Sequence, residues 1–423
     1  MPRYEAYKDS GVEWLENIPA HWQLTRLGTR FNERKHKVSD TDYPPLSVTK
    51  NGVLPQLANA AKTNDGDNRK LVKKGDFVIN SRSDRRGSSG ISDRDGSVSL
   101  INIVLAPRDI DPKYCHYLLR SYSFIEEFYR MGHGIVADLW TTRYDEMKAV
   151  ILGIPPQSEQ TAIANFLDQK TAQIDQAIAI KEKQITLLKE RKQILIQNAV
   201  TRGLNPNEPI RDSGVEWIGE LPAHWETRRL KYIVKILKRI VGHEGPDVLS
   251  ITQQGIKVKD IESGEGQLAM NYSKYQLLYQ GEFAMNHMDL LTGYVDISKF
   301  DGVVSPDYRV FKNTSKEIND QFLLAIFQIG YKHRIFYRYG QGVSFLGRWR
   351  FPADNFNNFF IPIPPMEEQE HIVTHIEREF SKMDVAITLQ QQQIEKLKEY
   401  KTTLINSAVT GKIKVIDQNI EGL

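Results

Sequence analysis

The sequence predicts an α+β protein built in duplicate: two globular domains in tandem, each followed by a long helix, the two helices forming an antiparallel coiled coil with pseudo-two-fold symmetry. Three observations predict it. The segment DSGVEWLENIPAHWQLTRL at 9–27 returns as DSGVEWIGELPAHWETRRL at 212–230, identical at 12 of 19 positions. Further matches follow in the same order along the rest of the chain. Each copy then ends in a seven-residue apolar repeat, the pattern of a helix that pairs along one seam.

The repeat sets the partition of the chain. LSVTKNGV at 46–53 answers LSITQQGI at 249–256, and KGDFVIN at 74–80 answers QGEFAMN at 280–286. Gly96 and Ser99 answer Gly302 and Ser305, YRMGHGI at 129–135 answers YRYGQGV at 337–343, and IPPQSEQ at 154–160 answers IPPMEEQ at 363–369. The offset grows only from 203 to 209, so the chain is one unit of about half its length duplicated in tandem. The parts are a globular domain at 1–152, a helix at 153–203, a globular domain at 204–361, a helix at 362–414 and a tail at 415–423.

The globular parts mix short β-like runs (FVIN, SLINIVLA and VILGI; then VLSIT, EFAMN and VVSPDYRVF) with turn clusters such as KKGD, SRSDRRGSSG and DRDG. One amphipathic helix is expected in each, at 113–130 and 319–338. The long helices open on Pro-Pro with Glu and Gln in the first turn, which suits the positive end of a helix. The first seam comprises Ala164, Leu167, Thr171, Ile174, Ile178, Lys181, Ile185, Leu188, Lys192, Leu195 and Ala199. The second comprises Val373, Ile376, Phe380, Met383, Ile387, Gln390, Ile394, Leu397, Lys401, Leu404 and Ala408. Each seam runs about 54 Å at 1.5 Å per residue. Lys181 and Gln390 fill the same heptad slot, and an antiparallel pair brings those polar layers together. The alternative is that the seams pair between chains or with another protein.

Composition narrows the function. Lys plus Arg total 56 against 53 Asp plus Glu, a net of +3, so any nucleic-acid surface must come from local sorting of charge. Hydrophobic residues are 40% and charged residues 26%, the range of folded globular proteins. A single cysteine, Cys115, excludes an internal disulfide framework and a cysteine-rich zinc site, and it fits a reducing cytoplasm. The start lacks an apolar signal core, and no run approaches the ~20 apolar residues of a membrane span. No G-x-G-x-x-G, no G-x-x-x-x-G-K-[ST], no H-E-x-x-H and no Asn-Pro-Pro-aromatic motif is present. Pro306-Asp307 and Glu399-x-Lys401 are only fragments of an endonuclease pattern. The ten histidines show no metal-ligand spacing, and His21 and His224, in the repeated PAHW, read as structural.

Binding is the better reading. NSRSDRRGSSG at 80–90 places Arg82, Arg85 and Arg86 on a loop after a strand, where guanidinium groups reach phosphates or guanine edges. Its counterpart, NHMDLLTGYV at 286–295, differs in content while the flanking framework repeats, as two readers of different sequences on one scaffold would. A solvated turn pairing with Asp84, Asp93 and Asp95 is the alternative. At 331–350, Lys332, Arg334, Arg338, Arg348 and Arg350 interleave with Tyr337, Tyr339, Phe345 and Trp349, a mixture suited to a nucleic-acid face, with Phe336 and Tyr337 assigned to packing.

Taken together, the paired DSGVEW and PAHW segments, the G-[DE]-F strand, the helix starts IPPQSEQ and IPPMEEQ, and the helix ends LIQNAVTRG and LINSAVTGK resemble the specificity subunits of type I restriction-modification systems over essentially the whole chain. Each motif alone is weak; their tandem order is specific. The resemblance implies two target recognition domains on double-stranded DNA, each reading half of a split sequence, with the helices as spacer and docking site. The partners it implies are two methyltransferase subunits and ATP-dependent restriction subunits, carrying S-adenosylmethionine, ATP and Mg. The chain itself is then non-catalytic, binds no cofactor and works in the cytoplasm.

From charge, amide content and loop location, the expected DNA contacts of the first domain are Thr49, Lys50, Arg82, Arg85, Arg86, His133 and Arg143. Those of the second are Thr252, Gln253, Gln254, Asn286, His287, Tyr294, Gln341, Ser344 and Arg348. The rival readings are a DNA-binding or tethering coiled-coil protein without methyltransferase partners, and a standalone restriction-modification enzyme.

Overall fold

The computed structural model describes residues 2–56, 66–134, 140–261, 271–342 and 349–415. By compactness the chain forms two units, residues 1–182 with 391–423, and residues 183–390. Each unit therefore holds one globular domain and a stretch of both long helices, Gln157–Arg202 and Met366–Val409.

In the first unit a four-stranded antiparallel sheet runs in the order Ser89–Ile91, Phe77–Asn80, Asn102–Pro107, Phe31–Glu33. The apolar runs FVIN and NIVLA are nearly continuous because both faces of this sheet are covered. Phe77, Ile79, Ile103 and Leu105 point to the main core, while Val78 and Val104 point to a smaller one with Leu46, Val53, Val72 and Val98. The small core lies under the hairpin of Leu46–Thr49 and Gly52–Pro55 and the sheet formed by Gly96–Val98, Arg69–Val72 and Lys37–Val38. The helix expected at 113–130 is broken in two, Pro112–Leu118 and Tyr122–Arg130. Ser121 causes the break, since its side chain accepts from the Phe124 amide and starts a new helix, as Asp111 does for the first.

The second unit repeats this plan. Its sheet orders Val234–Leu237, Arg309–Asn313, Phe283–Met285, Val295–Ile297. The run VVSPDYRVF divides into Gly302–Val304 and Arg309–Asn313 around Pro306, whose missing amide cannot serve a ladder. The helix expected at 319–338 ends at Lys332 and resumes as Ile335–Arg338, because Arg334 takes a left-handed conformation (φ 55°). Its core is aromatic: Phe283 stacks on Phe311 at 4.9 Å, and Phe327, Phe336, Phe351 and Phe356 surround them.

Within each unit the long helices pair antiparallel in one chain. In the first, Leu167, Ile174 and Leu404 are buried, with Ile178 and Leu397 packed against them. Lys401 reaches Asp175 at 2.7 Å and Lys181 donates to Gln393 at 2.5 Å, so numbering rises on one helix as it falls on the other. Ile394 is also buried. In the second, Ile196, Ala199 and Val200 share the core with Ile372 and Ile376, and Leu195, Val373 and Phe380 flank it. Lys192 pairs with Asp384 at 2.5 Å and lies over the Phe380 ring. Met383 and Ile387 are buried, while Ile185, Leu188 and Gln390 are half-buried. Lys181 finds a polar partner in Gln393 within the first unit.

The repeated motifs anchor the helix ends. Glu159, in the first turn of its helix, accepts from the Trp22 indole N–H at 3.1 Å and the Tyr4 hydroxyl at 2.5 Å and meets His21 Nε2 at 2.7 Å. Glu368 does the same for Trp225, at 2.9 Å, and His224, at 2.6 Å. The next residue is a buried glutamine in both copies. Gln160 accepts from the Asp111 amide and Gln369 from the Asn319 amide, tying each long helix to the cap of a short one. Against the other side of each tryptophan lies the end of a long helix: Gly203 next to Trp225 and Gly411 next to Trp22, both at positive φ. PAHW, IPPxxEQ and the terminal glycine are thus one clamp, and His21 and His224 belong to it.

Candidate nucleic-acid interface

In the first unit, strand Phe77–Asn80 runs into the arginine loop, which turns through Ser83–Arg85 and returns at Ser89–Ile91. This loop is stitched to the segment around 133–143 by main-chain hydrogen bonds, Ser83 N to Trp140 O at 2.9 Å and Thr142 N to Ser81 O at 3.0 Å. The second unit repeats both stitches with one more residue between them on its loop, Leu290 N to Trp349 O at 3.0 Å and Phe351 N to His287 O at 2.8 Å. A tyrosine hydroxyl closes each loop: Tyr129 donates to Asn80 O at 2.8 Å and Tyr331 to Asn286 O at 2.6 Å. The ladder uses backbone groups, so the side chains it carries are free to differ between copies.

Arg82, Arg85 and Arg86 are exposed together on this loop. The acids of the alternative reading are mostly engaged elsewhere, Asp93 with Arg94 at 2.7 Å and Asp95 with Lys73 at 2.8 Å. Arg85 has Asp84 at 3.6 Å, and Arg86 pairs with Glu126 at 3.0 Å while its guanidinium lies over Tyr129. Such exposed pairs are weak and exchange readily for phosphate. His133, bridged to Thr141, and Arg143 are exposed on the adjoining segment, and Lys50 is exposed at the tip of the 46–55 hairpin. Arg120 supports that tip by donating to the Lys50 carbonyl at 2.6 Å.

Several expected contacts have other duties. The hydroxyls of Thr49 and Thr252 are taken up in their hairpin turns, donating to Gly52 O and Gly255 O and accepting the amides of Asn51 and Gln254. Tyr294 is 8% exposed and packs beside Tyr331, so it is a core residue. Asn286 and His287 are half-buried at the base of their loop. Burial, with Arg309 and Arg350 nearby, pushes His287 down to about 3, so it presents no positive charge to a phosphate near neutral pH. Gln253, Gln254 and Gln341 are exposed; Gln253 donates to the Thr292 carbonyl at 3.4 Å, and Gln254 accepts from Lys257 at 2.7 Å. Ser344 and Arg348 lie outside the described residues. Phe336 is fully buried and Tyr337 lies 4.3 Å from the Trp349 ring, as packing residues.

Sequence reasoning missed Trp140, Tyr129 and Tyr331 as stitching residues, and placed Trp349 only in a basic and aromatic cluster. The two tryptophans stand 209 residues apart, the offset of IPPQSEQ and IPPMEEQ, which was the available signal. The tyrosines occupy non-equivalent positions and left none. Among the described residues, no group of three His, Cys, Asp or Glu side chains could hold a metal ion, and no helix is long and apolar enough to cross a membrane.

One pH dependence follows. His116 is pushed down to about 4 by burial and by Arg120, which donates to its Nε2 at 2.9 Å and so requires the neutral ring. In the unfolded chain both histidines take up a proton near pH ~6.5. Below that pH the unfolded state binds more protons, so stability falls as pH drops from about 6.5 toward the folded values. Melting curves at pH 7 and pH 5 should show a smaller acid loss in His116→Gln/His287→Gln than in the parent; equal losses would dismiss both histidines.

A family model described as the type I restriction modification DNA specificity domain matches residues 222–399. The chain is 25% identical over 314 residues to the putative type I restriction enzyme MjaX specificity subunit of Methanocaldococcus jannaschii, spanning 72% of this chain and 69% of that protein. It is 22% identical over 452 aligned positions to the type I restriction enzyme MjaVIII specificity subunit of the same organism, spanning 98% of each. Among solved structures, a chain from a study of complex assembly and conformational transition of the type I R-M system matches with a TM-score of 0.67 at 13% identity, over 94% of this chain and 99% of that one. The HsdS subunit from Thermoanaerobacter tengcongensis matches with a TM-score of 0.52 at 14% identity, over 94% and 98%.

Proposed function

We propose that the chain, similar to type I restriction enzyme specificity subunits over most of its length, is itself such a subunit and reads a bipartite DNA target, one globular domain per half-site. The helices dock two methyltransferase subunits and the restriction subunits. Catalysis then resides in those partners, which carry S-adenosylmethionine, ATP and Mg, and the assembly works on DNA in the cytoplasm. The observation that carries this reading is the corresponding main-chain stitching of two loops whose side chains differ. A fixed frame with variable contents is what two independent readers need, because main-chain hydrogen bonds hold position while side chains read base edges. The small net charge fits a subunit whose own cations are concentrated at reading loops.

The test is expression of this chain with a type I methyltransferase subunit from its source cell, followed by genome-wide mapping of methylated adenines. The expected result is a split motif with a spacer of fixed length, appearing only when the chain is present. Methylation at a continuous motif, or none, would overturn the bipartite reading. Co-purification separates the rivals: a methyltransferase recovered at two per chain supports the specificity subunit, its absence supports a solitary DNA-binding protein, and activity of the chain alone a self-sufficient enzyme.

A further inference from the structure

We propose that Trp140 is a DNA-contacting side chain of the first domain, its indole packing on bases of that half-site while Arg86 and Arg130 flank it; this rests on the reading of the domain as a DNA reader. The six tryptophans provide the contrast. Trp22 and Trp225 are locked to Glu159 and Glu368, Trp217 donates to Phe360 O and stacks on Phe359, Trp14 packs edge-on against Phe124, and Trp349 lies on Tyr337. Trp140 is 37% exposed. Among the described residues its ring has no aromatic partner and its indole N–H no acceptor.

Its backbone, by contrast, is fixed, since the Trp140 carbonyl accepts the Ser83 amide at 2.9 Å. The side chain therefore stands at a defined place beside the arginine loop, on a cleft of about 410 Å³ lined by Ser83, Arg86, Glu126, Tyr129 and Arg130. Arg86 and Arg130 are paired only with acids of their own surface, Glu126 at 3.0 Å and Glu127 at 2.7 Å, and their side chains stay 49% and 68% exposed. A rigidly placed aromatic face, a free indole donor and two exposed guanidiniums are the parts that base contact and phosphate contact require. A good contact to base edges in a duplex groove is worth roughly 10-fold to 100-fold in affinity. The equivalent Trp349 is committed to Tyr337, with Gly342 closely packed on it, so the contact belongs to the first domain alone.

The test uses the assembled complex with its methyltransferase subunits and duplexes built on the methylated sequence, with base changes in one half-site or the other. Trp140→Ala should weaken binding of the intact target about 10-fold to 100-fold. It should erode discrimination at the first half-site and leave the second as in the parent. Trp140→Phe, which keeps an aromatic face, should fall between, and the tryptophan emission it removes should be the part quenched by target DNA. Because Ser83 is held by a main-chain carbonyl, both variants should melt with the parent. Parental affinity and discrimination in Trp140→Ala would overturn the assignment of Trp140 while leaving the DNA reading intact. A parent complex without sequence preference would overturn both.

Discussion

Gly411→Ala should lower the melting temperature of the first unit by about 10 °C. The residue sits at φ +75°, a left-handed conformation that costs an L side chain about 1–3 kcal/mol. A Cβ there would fall 2.3 Å from Pro19 Cδ and 3.2 Å from the Trp22 ring. Neither can retreat, because Pro19 is in a strand paired with Tyr7 and Trp22 is fully buried and held by Glu159. Overpacking of this kind adds about 1–3 kcal/mol. A total near 4 kcal/mol converts at about 2–4 °C per kcal/mol for a unit of this size. Gly203→Ala is the internal comparison: its φ is +74°, but the nearest atom is Trp225 Cζ2 at 3.2 Å, so a smaller loss is expected. Calorimetry that finds Gly411→Ala no more harmful than Gly203→Ala would refute the clamp as described.

Arg82→Ala combined with Arg85→Ala should reduce adenine methylation at the target by two orders of magnitude or more. Each arginine contact to a guanine edge or phosphate is worth about 1–3 kcal/mol. Arg82 has no ion pair among the described residues, and the pair of Arg85 with its neighbour Asp84 spans 3.6 Å. Removing them leaves the scaffold intact, since the loop is tied by Ser83 N, Thr142 N and the Tyr129 hydroxyl. The readout is methylated fraction per site in cells at matched protein level. Unchanged methylation, with unchanged motif, would remove this loop from the DNA interface.

Sequence and structure agree most closely where a signal is local or periodic. The heptads placed Leu167, Ile174, Met383, Ile387, Ile394 and Leu404 in the seam, and all are buried. The two short helices were visible as amphipathic runs, but their breaks at Ser121 and Arg334 were not, because a capping serine and a left-handed arginine carry no periodicity. Within the candidate interface, loop location identified the exposed arginines and glutamines. It did not foresee that Tyr294 is buried or that the Thr49 and Thr252 hydroxyls serve their own turns, since loop membership does not reveal which side chain turns inward.

The sequence by itself determined the duplication, the seven-residue seams and the divergence of the loops on a repeated frame, because each is a comparison of residues along the chain. The tertiary structure alone decided what the repeated motifs are for. Glu159, Trp22 and Gly411 form one clamp though hundreds of residues separate them, and Trp140 is exposed where Trp349 is packed. Those outcomes depend on which atoms arrive within about 4 Å of one another. Burial and hydrogen-bond satisfaction are set by that proximity, which chain order does not encode.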